Sequence, residues 1–215
     1  MTSSAPRPDA VPIAVFAKAP VPGAVKTRLT ALLGADGAAA LHAGLVRHAL
    51  AAAVGSDVGP VELWCAPDES HPFFERCAAE FRVTLHRQRG ADLGERMRHA
   101  FEAAHGRGAP LLLMGSDCPA LDAAALQRAA RELRVHDAVI APAEDGGYVL
   151  VGLAVPMPRL FEAVAWGGSA VMGQTRARLE EAGSRWKELD TLWDIDRPAD
   201  YARLQSEGML REVLS

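Results

Sequence analysis

Leu111-Leu112-Leu113-Met114-Gly115-Ser116-Asp117-Cys118-Pro119 joins four consecutive apolar residues to a small polar loop. An unbroken apolar run of this length suits a strand covered on both faces, as in the middle of a parallel sheet. Asp122 sits just beyond the loop, where it can cap a helix reaching about Leu133. Outward from this centre the same grammar repeats. Val11–Ala17 (VPIAVFA), Val61–Cys65 (VELWC), Val83–His86, Ala138–Ala141 (AVIA), Tyr148–Leu153 (YVLVGL) and Trp186–Leu189 read as strands. Helical stretches lie between them at Gly37–Val54, His71–Glu80, Asp92–His105 and Ser169–Ala182, and a last helix starts near Pro198. Asp92 and Glu95 have the spacing of a capping box. The alternation predicts an α/β protein: three layers, with a mostly parallel central sheet and helices on both faces. In such sheets ligands bind beyond the carboxyl ends of the strands.

Composition narrows the function. The chain has 215 residues and a net charge of −4, enough for one domain over residues 11–215. No basic stripe suited to nucleic acid is present. Cys65, Cys77 and Cys118 form no C-x-x-C pair, which suits a reducing compartment better than a disulfide scaffold. No apolar run is read as a membrane span. The opening MTSSAPRPDA is expected to be a frayed, flexible tail over residues 1–10, without signal-peptide character. These features point to the cytoplasm and to no membrane partner.

Three loops at expected strand ends carry the chemistry. Lys18–Leu29 (KAPVPGAVKTRL) groups Lys18, Lys26 and Arg28 with Gly23 and the Thr27 hydroxyl. Cations beside a flexible loop suit phosphate, although neither a Walker A nor a G-x-G-x-x-G pattern is present; a solvated basic turn is the plainer alternative. Ser116 and Asp117 follow the central strand, and Asp117 is placed to hold Mg²⁺ or Mn²⁺. Because Asp122 can do the capping, Asp117 is left without a structural duty. Glu144-Asp145-Gly146-Gly147-Tyr148 puts two acids before two glycines. The glycines suit a hairpin turn, while Asp145 could orient an acceptor hydroxyl, act as base or approach the metal.

Near the end, Asp194-Ile195-Asp196-Arg197-Pro198-Ala199-Asp200 precedes the last helix, with Pro198 at the first helical position and Arg197 at the cap. Asp196 is either a second metal ligand facing Asp117 or itself the cap. Gly94 lets backbone approach a flat ring, so a nucleobase could lie there; the capping box alone also accounts for its neighbours. Trp166-Gly167-Gly168-Ser169 is either an aromatic-tipped flap over an acceptor or a loop carrying a core tryptophan. His42, His48, His99 and His105 read as surface or packing residues, and Cys118 has no base partner.

Together, Phe16–Leu29 (FAKAPVPGAVKTRL), Asp92–Met97 (DLGERM), Gly115–Pro119 (GSDCP), Glu144–Gly152 (EDGGYVLVG) and Asp194–Asp200 (DIDRPAD) are similar, in this order, to the bacterial DUF2064 family. Its members are named GT-A-type glycosyltransferases and include an arsenosugar-biosynthesis group. The match runs from Ile13 to Leu204. The resemblance implies the GT-A, nucleotide-diphospho-sugar transferase fold and puts Asp117 in the place of the metal-binding aspartate. The chain also resembles guanylyltransferases of coenzyme F420 and molybdenum-cofactor biosynthesis, through the K-T-R-L loop and the S-D-x-P aspartate. It departs from the family pattern at Arg197, where relatives usually carry Thr, and at Gly167-Gly168, where Ser or Thr often follows the Trp.

The expected function is therefore a metal-dependent transferase with a nucleotide or nucleotide-sugar donor and a small-molecule acceptor. Glycosyl transfer is favoured by the resemblance. Nucleotidyl transfer from a triphosphate to a phosphorylated molecule is favoured by the loop cations, which suit a leaving pyrophosphate. A non-catalytic nucleotide-binding protein would be expected to lack acids that this chain retains at positions 117, 145, 194 and 196.

Overall fold

The computed structural model describes residues 10–214, so the tail expected over residues 1–10 lies outside the described residues apart from Ala10. Seven strands form one sheet: β1 Ile13–Lys18, β2 Val61–Ala66, β3 Thr84–Arg87, β4 Leu111–Gly115, β5 Ala138–Pro142, β6 Tyr148–Leu153 and β7 Trp186–Glu188. Their spatial order is β3-β2-β1-β4-β6-β5-β7. Only β6 runs antiparallel to its neighbours β4 and β5. The short Glu144–Gly147 turn dictates this, because so tight a connection can only reverse the chain. The α/β class and mostly parallel sheet follow the alternation read from the sequence.

Side-chain alternation sorts each central strand between two cores. In β1, Ile13, Val15 and Ala17 face one layer, while Ala14 and Phe16 face the other; in β4, Leu112 and Met114 oppose Leu111 and Leu113. The first layer is covered by α1 Thr30–Gly55, α2 Pro72–Phe81 and α4 Ala123–Leu133, through Leu50, Phe74 and Leu126. The second is covered by α3 Leu93–His105 and α5 Val171–Glu181, through Phe101, Met172 and Leu179. Each fully buried Leu contributes roughly 1.5–3 kcal/mol by leaving water. A third cluster, Leu29, Leu41, Leu45, Trp193, Ile195, Leu204 and Val213, fastens α6 Pro198–Ser206 and α7 Leu210–Leu214 to α1. That cluster fixes the Asp194–Asp196 segment against the first loop.

One expectation is refined and one corrected. α1 spans Thr30–Gly55, but non-helical backbone at Gly34 (φ 71°, ψ 169°) breaks it, so a short first helix precedes the alanine-rich one expected from about Gly37. The segment Thr27–Gly55 is also long and apolar enough to cross a membrane by length and composition, contrary to the reading that no run is. In this fold its Leu41, Leu45, Val46 and Leu50 are buried within the protein's own cores.

Candidate functional site

Two clefts meet at the carboxyl ends of β1 and β4. The larger, about 680 Å³, is bordered by Lys18, Lys26, Thr27, Arg28, Ser116, Asp117 and Asp196, and by His42, Gln88 and Arg96. The smaller, about 260 Å³, is bordered by Asp117, Asp145, Gly147, Trp166 and Asp194. Leu93, Gly115 and Asp117 belong to both. The structure thus brings the three sequence-predicted loops to one place.

Lys26 is the pivot. It adopts a left-handed backbone (φ 47°, ψ 39°) before the 3-10 turn Thr27–Leu29, a conformation uncommon outside glycine. Its side chain is only 4% exposed and its ammonium lies 2.9 Å from Asp117 Oδ1. The same ammonium donates to the Ile195 carbonyl. The Ile195 N–H in turn donates to the Asp117 carbonyl at 2.8 Å. One buried cation therefore ties the first loop, the loop after β4 and the C-terminal acidic segment together.

Burial by itself pushes the Asp117 carboxyl up. The Lys26 charge, with a smaller contribution from the nearby His42 ring, outweighs burial and holds Asp117 well below the usual carboxylate range. His42 Nε2 donates to the Lys18 carbonyl at 3.0 Å, which leaves Nδ1 buried, without a hydrogen-bond partner and 3.7 Å from Asp117 Oδ1. His42, read from the sequence as a surface or packing residue, is thus part of the site. Helical periodicity could only mark it as inward-facing.

Arg28 pairs with Asp196 at the outer rim, where both are substantially exposed. The Asp200 carboxylate accepts from the backbone N–H groups of Asp196 and Arg197 at 3.0 and 2.6 Å, so Asp200 stabilises the start of α6 and the Asp196 side chain is not its cap. Asp194 faces the smaller cleft. Its carboxyl is pushed up to about 6, first by burial and then by the negative charges of Asp145 and Asp117.

Asp145 accepts from the Gly147 N–H at 2.9 Å with one oxygen. Its neighbour Glu144 pairs with Arg203 at 3.0 Å, and Arg203 lies over the Trp193 ring at 4.3 Å. The two acids therefore divide: Glu144 anchors the turn to α6, and Asp145 lines the cleft. Gly146 (φ 93°) passes so close to Ser169 that a Cβ would meet the Ser169 carbonyl at 2.4 Å. The turn and the Trp166–Ser169 loop thus pack as one wall.

Gly23, Gly94 and Gly146 line neither cleft. Gly23 (φ 79°) shapes the loop. At Gly94 an added Cβ would meet Trp166 Nε1 at 2.5 Å and the Phe161 carbonyl at 2.7 Å, so the space beside this glycine is filled by the protein's own indole rather than a flat ligand. Gln88 gives its amide hydrogens to the Ala17 and Trp64 carbonyls at 3.2 and 2.7 Å and forms part of the larger cleft's floor. The burial-raised thiol of Cys118, at about 12, is inert as a nucleophile near neutral pH.

Among the described residues no group of three His, Cys, Asp or Glu side chains converges into a metal cage. Mg²⁺ and Mn²⁺ do not need one, since they take one or two carboxylates and complete their shells with water and substrate phosphate oxygens. Asp117, about half exposed on a cleft it shares with Asp194, offers that hard-oxygen donor set.

A sequence model of the DUF2064 family, described as "Uncharacterized protein conserved in bacteria", matches residues 49–168. No curated protein matches the chain. Among solved structures, a nucleotide-diphospho-sugar transferase candidate from Desulfovibrio desulfuricans G20 is 30% identical, with 95% of this chain and 97% of that one covered and a TM-score of 0.80. A nucleotidyl transferase from Methanothermobacter thermautotrophicus is 18% identical over 93% and 98%, TM-score 0.66. Rv0371c from Mycobacterium tuberculosis H37Rv, solved as a manganese complex, is 16% identical over 92% and 99%, TM-score 0.55. The chain is a member of the DUF2064 family, built on the nucleotide-diphospho-sugar transferase fold.

Proposed function

We propose that this protein is a transferase that uses a nucleotide-activated donor, and that the reaction is glycosyl transfer from a nucleoside-diphosphate sugar to a small acceptor. The observation that carries this is the meeting of a cation-lined cleft and a carboxylate-lined cleft at Asp117. The larger cleft offers Lys18, Arg28 and the backbone of Val25–Thr27 to a diphosphate. It continues past Gln88 and Arg96 into a hollow of about 450 Å³, which gives room for a nucleoside. Likeness to the Desulfovibrio protein across nearly the whole chain supports a sugar donor.

Mg²⁺ or Mn²⁺ would be held by Asp117 with Asp194, since Asp196 is engaged by Arg28. Such a cation supplies charge neutralisation to the leaving diphosphate. Asp145, with one carboxylate oxygen uncommitted to its turn, accepts the proton of the acceptor hydroxyl. The acceptor oxygen bonds to the sugar's anomeric carbon, the bond from that carbon to the β-phosphate oxygen breaks, and the nucleoside diphosphate departs. Lys18 and Arg28 stabilise the charge it acquires. Residues 11–215 serve as one catalytic domain. Three unpaired, buried thiols favour the cytoplasm.

A second reading, nucleotidyl transfer, draws on the same Lys18, Lys26, Arg28 and Arg96 cluster, which suits pyrophosphate. Product analysis separates the two. Incubation with nucleotide sugars and Mn²⁺ should release nucleoside diphosphate. Pyrophosphate from triphosphates, with nucleotide sugars left intact, would establish nucleotidyl transfer instead.

A further inference from the structure

The two clefts differ sharply in charge. The larger carries Lys18, Lys26, Arg28 and Arg96. The smaller is bordered by Asp117, Asp145 and Asp194, by Tyr148 and Trp166, and by four glycines, and no Lys, Arg or His is among the residues that line it. The nearest cation, Lys26, is committed to Asp117 and the Ile195 carbonyl from the other side. Arg178, behind Tyr148, donates to the Leu160 and Ala163 carbonyls. Among the described residues, no cationic side chain is left over to meet an anion in this cleft.

We infer that the smaller cleft takes an acceptor that is not phosphorylated: a neutral or amine-bearing polyol or sugar, recognised by hydroxyl contact to Asp145 and by apolar contact with Trp166 and Tyr148. This rests on the transferase reading and specifies the acceptor's chemical class. Ionised carboxylates are acceptor-only groups, so they take hydrogen bonds from hydroxyl and ammonium donors and have none to offer a phosphate oxygen. With Asp117 and Asp194 holding the cation that the donor diphosphate saturates, a phosphate seated there would face the Asp145 carboxylate and the donor's own charge with no side-chain cation, the arrangement that interfaces use to reject wrong partners. Tyr148 and Trp166, packed edge-to-face on each other with ring centroids 6.4 Å apart, give the cleft an aromatic wall that suits the apolar flank of a sugar ring or a positive charge. The donor diphosphate brings its own neutralising partners in the larger cleft and leaves none for a second phosphate.

The test pairs each acceptor with its phosphorylated form: glucose with glucose 6-phosphate, glycerol with glycerol 3-phosphate, and glucosamine with glucosamine 6-phosphate. Donors are Mn²⁺-loaded nucleotide sugars, and the readout is nucleoside-diphosphate release above the rate with water alone. The unphosphorylated member of the best pair should be favoured at least about 100-fold in kcat/KM. A Gly168→Lys variant places a cation at the cleft wall, where an added Cβ meets nothing nearer than the Ala165 carbonyl at 3.4 Å. It should narrow the gap about tenfold. Preference for the phosphorylated members overturns the inference, as does a gap that Gly168→Lys leaves unmoved. Donor binding without acceleration by any acceptor, including a dephosphorylated cell-extract pool, also overturns it, because the cleft then serves no small acceptor. Failure of any nucleotide to bind instead strikes the transferase reading itself.

Discussion

Lys26→Met isolates the contribution of the buried cation to the assembly of the site. Methionine keeps the length and the apolar stem and removes only the ammonium. Two partners lose their donor. The Ile195 carbonyl belongs to a fully buried residue, and an unsatisfied buried acceptor costs roughly 1–3 kcal/mol. Asp117 is 45% exposed, so its carboxylate rehydrates, and the lost pairing adds about 1 kcal/mol at most. Relief from burying a charge offsets part of the sum, leaving a net loss of about 2 kcal/mol. For a chain of this size that lowers Tm by roughly 4–8 °C. The pH dependence has a fixed sign. Asp117 titrates below its unfolded value because Lys26 and His42 together outweigh burial. Its contribution is present above the unfolded pKa near 4 and is lost as pH falls through the folded value. The gap between wild type and variant, measured by urea melts from pH 8 to pH 3, should be full above about pH 5 and shrink in acid. A variant as stable as wild type at pH 7, or a gap that widens on acidification, refutes the reasoning.

Further outcomes follow from the same geometry. Asp117→Asn should leave the fold intact and lower metal-dependent turnover by about two orders of magnitude or more in steady-state assays. Asp194, pushed up to about 6 by burial and then by Asp145 and Asp117, should cost stability as pH rises from about 4 to 6. In metal-free buffer Asp194→Asn should therefore be more stable than wild type at pH 8, by about 2 kcal/mol, and equal to it at pH 4; a variant less stable at pH 8 speaks against the charge cluster. Gly94→Ala should force Trp166 aside and cost roughly 1–3 kcal/mol, visible as altered tryptophan fluorescence and a lower Tm.

Much of the fold can be read where one residue type admits one environment. Leu111–Met114 tolerates only a two-sided core, Gly146-Gly147 marks the hairpin, and Asp92 and Asp122 both cap their helices, accepting from Glu95 and Ala125. Strand order is harder. β6 slots between β4 and β5, and local pattern carries no record of which strands become neighbours. The site is legible loop by loop but not in its pairings. Lys26 and Ile195 are 169 residues apart, and Arg28 and Asp196 are 168 apart. Lysine is ordinarily a solvated residue, so its burial here is visible only once the chain has closed on itself. The glycines show the opposite limit. Composition marks 94 and 146 as special, but the cause is the closeness of Trp166 and Ser169, which no sequence window contains.

The central claim, a metal-dependent nucleotide donor bound beside Asp117, is tested most directly by thermal shift of the wild-type protein. Nucleotide sugars and triphosphates are each added with Mn²⁺ or Mg²⁺ and then with chelator. A ligand at 100 times its Kd adds about 2.7 kcal/mol, a rise of roughly 5–10 °C for a chain of this size. The account predicts such a rise with a nucleotide sugar and metal, abolished by chelator and by Asp117→Asn. A folded protein whose Tm moves with no nucleotide, with or without metal, contradicts it.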